Sequence, residues 1–268
     1  MIIRKIIVRS VFGFGILLNP KLKFIDVNWF KENIKKSEKL AIVAPGFSLS
    51  ELTKDEINDF ENGDIFFLNY AFLNKIIKSS NYLMEPHENI SIYANLLKNI
   101  SNEKKNIFIK GYASPSRILL TLRTIRSLSH QNHNLYLMDE VYGQDFVNNN
   151  SHIDVYEKYY KTSNEQNSFL IYGTSVGYLI SLAYIAGYKE CNFVGFDFSD
   201  RYIYCIDPIN YLDYKSVLCA EHGAPEEIVH TNTLDKDTLK FLSWNKQYFI
   251  SKDKKIKFHR CRGELSKI

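Results

Sequence analysis

The sequence predicts an α/β fold, a doubly wound and mainly parallel sheet. Three observations predict it. Short apolar runs rich in Ile, Leu, Val and Phe recur along the chain. Segments of helical spacing or long polar stretches separate them. The runs end in Pro-Gly, Asn or an acid, where a loop begins. The 268 residues are 45% hydrophobic and 24% charged, which excludes a disordered chain, a collagen-like chain and a polytopic membrane protein. That length suits one large domain, or one domain with a small subdomain.

Residues 39–44 (KLAIVA) form an apolar run ending at Pro45-Gly46, a buried strand entering a tight turn. Helical spacing follows over 48–60 through Leu49, Leu52 and Ile57, with Ser50 or Thr53 as its N-cap. Residues 64–69 (DIFFLN) form a second strand; 82–84, 106–110 (NIFIK) and 134–138 (NLYLM) are further short ones. The polar stretch 144–166 reads as a mobile loop region. Residues 174–186 read as a helix, and 192–196 (NFVGF) as a buried strand ending at Asp197. The long polar stretch 199–233 reads as a lid over a site. A helix over 234–249 and a last strand over 256–260 complete the chain. We therefore expect a basic and apolar segment over 1–38, then a single domain over 39–268 with its lid at about 199–233.

Charge is uneven. Residues 1–23 carry Arg4, Lys5, Arg9, Lys21 and Lys23 and no acid, and residues 251–268 carry seven basic residues against two acids, although the whole chain is only +4. The body between them is net acidic. That argues against nucleic-acid binding, which needs basic charge on the folded face. Basic ends suit an anionic membrane surface. The apolar stretch 6–18 is too short to span a bilayer and has no small-residue cleavage site. It is either an interfacial anchor, with Phe12, Phe14, Ile16, Leu17 and Leu18 at the interface, or an ordinary packed segment. The four cysteines, Cys191, Cys205, Cys219 and Cys261, form no CxxC pair and read as scattered reduced thiols.

Parallel sheets bind ligands outside the carboxyl ends of their strands. That singles out Pro45-Gly46, Asn69, Glu85 and Asp197. The segment 44–49 joins a strand to a helix, so its amides can face a phosphate, with Gly46 allowing close approach; the alternative is a structural turn. Gly173, Thr174 and Ser175 open the 174–186 helix, as an anion site or as simple N-capping. Asp197 can hold a ribose or base edge, or cap a neighbouring loop. His230 follows the lid and can take a proton from an acceptor hydroxyl, with His222 and His87 as rivals. No HExxH occurs, but Gly173-Thr174-Ser175-Val176-Gly177 has the letters of GxSxG and Asp235-Lys236-Asp237 those of Asp–x–Asp, so these motifs do not by themselves disfavour a serine hydrolase or a DxD-type metal-dependent transferase.

Together these pieces resemble the bacterial sialyltransferases of glycosyltransferase family 42. That family runs strand–AGNGPSL, a strand ending CN, YNP, TSG before a long helix, GYKE–strand–GIDF, and GH…D…LEFL. Here the counterparts are 43–49 (VAPGFSL), Leu68-Asn69, Met84-Glu85-Pro86, Thr174-Ser175 and 187–198 (GYKECNFVGFDF). Val229-His230-Thr231 follows, with Asp235 and 239–242 (LKFL). The match covers roughly residues 39–260 in order.

The resemblance implies a Rossmann-like sheet of GT-A variant type with a lid subdomain. It implies an inverting, metal-independent transfer from a cytidine-monophosphate sugar, with no cofactor. His230 falls on the family's general base. Asn69 and Ser175 fall on donor-contacting positions, and Asp197 on the strand-end acid beside the nucleotide. Gly46, Ser48, Glu85 and Thr174 complete the donor side, and Arg201, Tyr202 and Tyr204 on the lid are candidates to steady the departing phosphate. The departures are Pro45 for the loop asparagine, Glu85 for the asparagine before proline, Tyr172 for the arginine before TSG, and Ser199 for the tyrosine after GIDF. They leave the transferred sugar open between sialic acid and a related one.

The expected partners are a nucleotide-sugar donor, a glycan or lipid-linked glycan acceptor and the inner-membrane surface, with no nucleic acid and with room for a homo-oligomer. The expected location is cytoplasmic, peripheral at that membrane. A transferase using another nucleotide sugar, or a nucleotide-binding pyrophosphate-transferring enzyme, would fit the same scaffold.

Overall fold

The structure is a computed structural model. It describes residues 10, 13–86, 90–100, 103–110, 115–138, 140–142, 169–171, 175–196, 246, 249–250 and 252–260. Eight strands make one sheet: β1 (Lys23–Ile25), β2 (Lys39–Val43), β3 (Asp64–Leu68), β4 (Asn81–Met84), β5 (Asn106–Ile109), β6 (Asn134–Met138), β9 (Glu190–Val194) and β10 (Lys255–His259). Their order is β1-β6-β5-β4-β3-β2-β9-β10, and every neighbouring pair is parallel. Two further strands, β7 (Glu140–Tyr142) and β8 (Phe169–Ile171), pair in parallel with each other.

The helices are α1 (Val27–Asn33), α2 (Lys54–Glu61), α3 (Ile90–Ile100), α4 (Pro115–Leu128) and α5 (Ser175–Ile185). The central strands are buried on both faces, which is why they read as unbroken apolar runs. Successive residues alternate between two cores. Phe66, Leu83, Phe108 and Tyr136 pack with Val27 and Phe30 of α1 and with Tyr178 and Leu182 of α5. Phe67, Tyr82, Ile107 and Leu135 pack on the other face with Phe60 of α2, Tyr93 of α3 and Leu128 of α4. Helices thus cover both faces, and the doubly wound expectation holds.

Every strand expected from the sequence is present, with ends shifted by a few residues. The helix expected over 48–60 is two elements. A 3-10 turn spans Phe47–Glu51, Leu52 is extended, and α2 begins after Thr53. The break has a local cause. Glu56 donates its amide to the Thr53 hydroxyl, and its carboxylate accepts from the Thr53 amide at 2.8 Å. This capping box starts a new helix. Of the two candidate caps Thr53 is the one used; the Ser50 hydroxyl donates instead to the Phe47 carbonyl.

Residues within the expected 1–38 segment belong to the sheet and its core. β1 is an edge strand on β6, and Phe30 is fully buried with its ring against Phe66, Phe108 and Phe169. The loop expected over 144–166 and the lid over 199–233 lie outside the described residues. Of the helix expected over 234–249, Phe249 is buried against Tyr184.

The segment Gly187–Tyr188 ends α5 by a Schellman motif. Gly187, at φ 75°, donates to the Tyr184 carbonyl, and Tyr188 donates to the Ala183 carbonyl. Tyr188 is fully buried, and its hydroxyl donates to the Asp64 carboxylate at 2.8 Å. Burial and that carboxylate push the phenol pKa up, so it stays a donor. The same Asp64 oxygen accepts from the amides of Lys36 and Ser37. Much of the distinctive 187–198 segment therefore locks α5 and β9 against β3.

Candidate functional site

The strand order reverses at β2. From β2 the chain winds outward through β3, β4, β5 and β6, whereas β9 lies on β2's other side. A crevice outside the carboxyl ends of β2 and β9 is the place such a sheet offers a ligand. Two backbone bonds join the chain beyond these two strand ends. The Ala44 amide donates to the Val194 carbonyl at 2.9 Å, and the Gly46 amide to the Gly195 carbonyl at 2.8 Å. Gly195 sits at φ 74°, and a Cβ there would lie 2.0 Å from the Ala44 oxygen. Only glycine permits this approach.

This geometry changes the reading of the 44–49 turn. The Gly46 amide is committed to β9, and the Leu49 amide bonds back to the Gly46 carbonyl at 3.3 Å. Gly46 itself has φ −74° and ψ 160°, which any residue adopts. Ser48 is fully buried inside the 3-10 turn. Gly46 and Ser48 are thus both buried, and the expected α-helix start is not formed at this point.

Asn69 follows β3, on the strand next to β2. Its φ of 48° lies in the left-handed region, which asparagine tolerates better than most residues. The Tyr93 hydroxyl on α3 donates to its carbonyl at 2.8 Å. The backbone is thus fixed from below, and the side chain stands half-buried at the strand end.

Glu85 follows β4 and Lys110 follows β5, one step beyond the paired Met84 and Ile109. The two side chains form an ion pair. Lys110 is only 2% exposed, whereas Glu85 keeps 31%. Leu83 and Phe108, two residues earlier on each strand, place the pair on the α5 face. There the Lys110 ammonium lies 5.3 Å from the ring centre of Tyr178, a cation–π contact. Lys110 thus fixes a partly open carboxylate at a strand end. Sequence reading had placed Glu85 there but passed over Lys110, a terminal lysine on an otherwise apolar strand.

Ser175 is the first residue of α5. Tyr178, one turn further on, touches Lys110 and bonds the Met138 sulfur at the end of β6. The first turn of α5 therefore stands over the carboxyl ends of β5 and β6, with its amide-rich positive end at the sheet edge. Gly46, Ser48, Asn69, Glu85 and the start of α5 thus lie along one edge. Neighbouring strands there are about 4.8 Å apart. Thr174, Asp197, Arg201, Tyr202, Tyr204 and His230 lie outside the described residues, as do the rivals His87 and His222. Among the described residues no group of three or more His, Cys, Asp or Glu is placed to hold a metal ion. Among them, too, no helix is long and apolar enough to cross a membrane.

No protein-family model matches the sequence, and no curated protein matches it. Solved structures do. The chain is similar to the monofunctional alpha-2,3-sialyltransferase Cst-I from Campylobacter jejuni, at 15% identity over 86% of this chain and 78% of that one, with a TM-score of 0.49. It is also similar to a variant of the Campylobacter jejuni sialyltransferase CST-II in complex with CMP, at 17% identity over 86% and 84% of the two chains, with a TM-score of 0.48. A further alpha-2,3-sialyltransferase of Campylobacter jejuni, in apo form, shares 17% identity over 88% and 81%, with a TM-score of 0.45.

Proposed function

We propose that this chain is a sialyltransferase-like glycosyltransferase that moves a sugar from a CMP-activated donor to a glycan hydroxyl. The observation that carries the reading is where the motif residues fall. Positions far apart in sequence, at Gly46-Phe47-Ser48, Asn69, Glu85 and Ser175, meet at the carboxyl edge of one parallel sheet. Gly46-Phe47-Ser48 and Asn69 stand at its point of reversal, Glu85 two strands further along, and the Ser175 helix start over β5 and β6; such an edge is where parallel sheets take a nucleotide.

In this reading the nucleotide lies over the β2–β9 crevice, with Asn69 beside it and Asp197 holding the ribose or base. Departure of cytidine monophosphate leaves an oxocarbenium-like sugar, so little nucleophilic push is needed. His230 takes the acceptor hydroxyl proton as the new bond forms on the opposite face, which inverts the anomeric centre. Thr174 and Ser175 at the start of α5, with Arg201, Tyr202 and Tyr204, give hydrogen bonds to the departing phosphate in place of a metal. Glu85, held by Lys110, can only accept hydrogen bonds while ionised, so it favours a sugar that offers hydroxyls there. The acceptor is a bacterial cell-surface glycan, met at the cytoplasmic side of the inner membrane.

The test is transfer from a panel of CMP-activated sugars in the presence of a chelator. His230→Ala should lose about two to four orders of magnitude in rate while donor binding persists. An active His230→Ala beside a crippled His222→Ala or His87→Ala overturns the assignment of the base. Transfer from uridine-linked sugars alone overturns the donor.

A further inference from the structure

Residues 13–18 (GFGILL) are helical and lie on the surface. Phe14 is 62% exposed, Leu17 79%, Leu18 40% and Ile16 37%. Phe14, Leu17 and Leu18 stand at i, i+3 and i+4, and so share one helix face. The other side of the segment is fixed. Gly15 is buried, and a Cβ on it would meet Leu22 at 2.7 Å and Ile125 of α4 at 3.1 Å. The Asn19 amide donates to the Gly15 carbonyl at 2.8 Å, and the Asn19 side chain accepts from the Lys21 amide at 2.9 Å. The segment is thus pinned to the domain by its small residue, with its large apolar residues turned to solvent.

Charge indicates what covers this face. Lys21 and Lys23 follow it directly, both exposed, and the first acid of the chain is Asp26. A second copy in a two-fold contact would bring two basic rims together. An anionic bilayer accepts both features at once: apolar side chains enter the headgroup boundary and ammonium groups meet lipid phosphates. We infer that Phe14, Leu17 and Leu18, with Lys21 and Lys23, dock this protein onto an anionic membrane surface without crossing it. The inference is independent of the proposed transfer reaction.

The full chain should sediment with vesicles of phosphatidylcholine and phosphatidylglycerol. It should do so far less with phosphatidylcholine alone, and binding should weaken as salt rises. Leu17→Glu and Phe14→Glu should abolish sedimentation while leaving the urea unfolding midpoint unchanged, since both side chains are exposed. Lys21→Glu with Lys23→Glu should lower vesicle affinity by about tenfold or more. Failure to bind the anionic vesicles overturns the inference, as does equal binding by wild type and Leu17→Glu. A dimer in sedimentation velocity that Leu17→Glu dissociates, without vesicle binding, overturns it in favour of a second copy.

Discussion

Replacing Gly195 by alanine tests how the β2–β9 crevice is built. The new Cβ would stand 2.0 Å from the Ala44 oxygen, 2.9 Å from the Ala44 carbon and 3.0 Å from Leu49. No rotamer change relieves a clash with backbone, so Ala44 and Gly195 must move apart. That movement strains the Ala44–Val194 and Gly46–Gly195 hydrogen bonds, each worth about 0.5–1.5 kcal/mol. The left-handed φ of 74° adds about 1–2 kcal/mol for a residue with a Cβ. The expected loss is about 2–5 kcal/mol. Gly187→Ala is the matched control. Its φ is nearly the same at 75°, but the nearest atom to a Cβ is the Lys35 nitrogen at 4.0 Å. It should therefore lose only the backbone part, about 1–2 kcal/mol. Urea unfolding of the two variants reads the difference. Equal losses would refute the close approach of β9 to the 44–46 turn.

Glu85→Gln removes the countercharge of a buried lysine, so its cost should approach the roughly 3–5 kcal/mol of a broken buried pair. Lys110→Met should cost less, because the Glu85 carboxylate is partly exposed and can hydrate; the reverse order in thermal unfolding would contradict this. Both variants should change relative rates across a donor panel, and unchanged ratios would remove Glu85 from sugar selection. Tyr188→Phe deletes a bond to a carboxylate and should cost about 1.5–3 kcal/mol; a loss below roughly 0.5 kcal/mol would contradict its role in joining β9 to β3. His133 and His259 both have pKa values lowered, chiefly by burial and secondarily by Lys105 and Lys257 respectively. The unfolded chain therefore takes up protons first as pH falls, so stability should decline from the ordinary histidine pKa down through the lowered ones. The His133→Asn and His259→Gln variants should show a shallower decline, and an unaltered slope would contradict this.

The strands were legible because burial on both faces leaves an unbroken apolar run, as in DIFFL and NLYLM. β1 was not, since three residues at a sheet edge carry no period of their own and gain their place from pairing with β6. The split between the 3-10 turn and α2 is written in Thr53 and Glu56, but helical spacing of Leu49, Leu52 and Ile57 masks it. Glu85 was legible as a strand-end acid. Lys110 was not, because its meaning lies in a contact across 25 residues and in Tyr178 on a distant helix. The Asn81–Asn106–Asn134 ladder at the amino ends of β4, β5 and β6 was equally hidden, each asparagine reading alone as an ordinary turn residue.

The most direct measurement is thermal unfolding with nucleotides and a chelator present. Cytidine monophosphate at about 100 times its Kd should stabilise the protein by about 2.7 kcal/mol, raising Tm in a concentration-dependent way. Uridine diphosphate, guanosine and adenosine nucleotides at the same concentrations should shift Tm less. Equal or greater stabilisation by uridine diphosphate, or no shift with cytidine monophosphate until a divalent metal is added, would contradict the account.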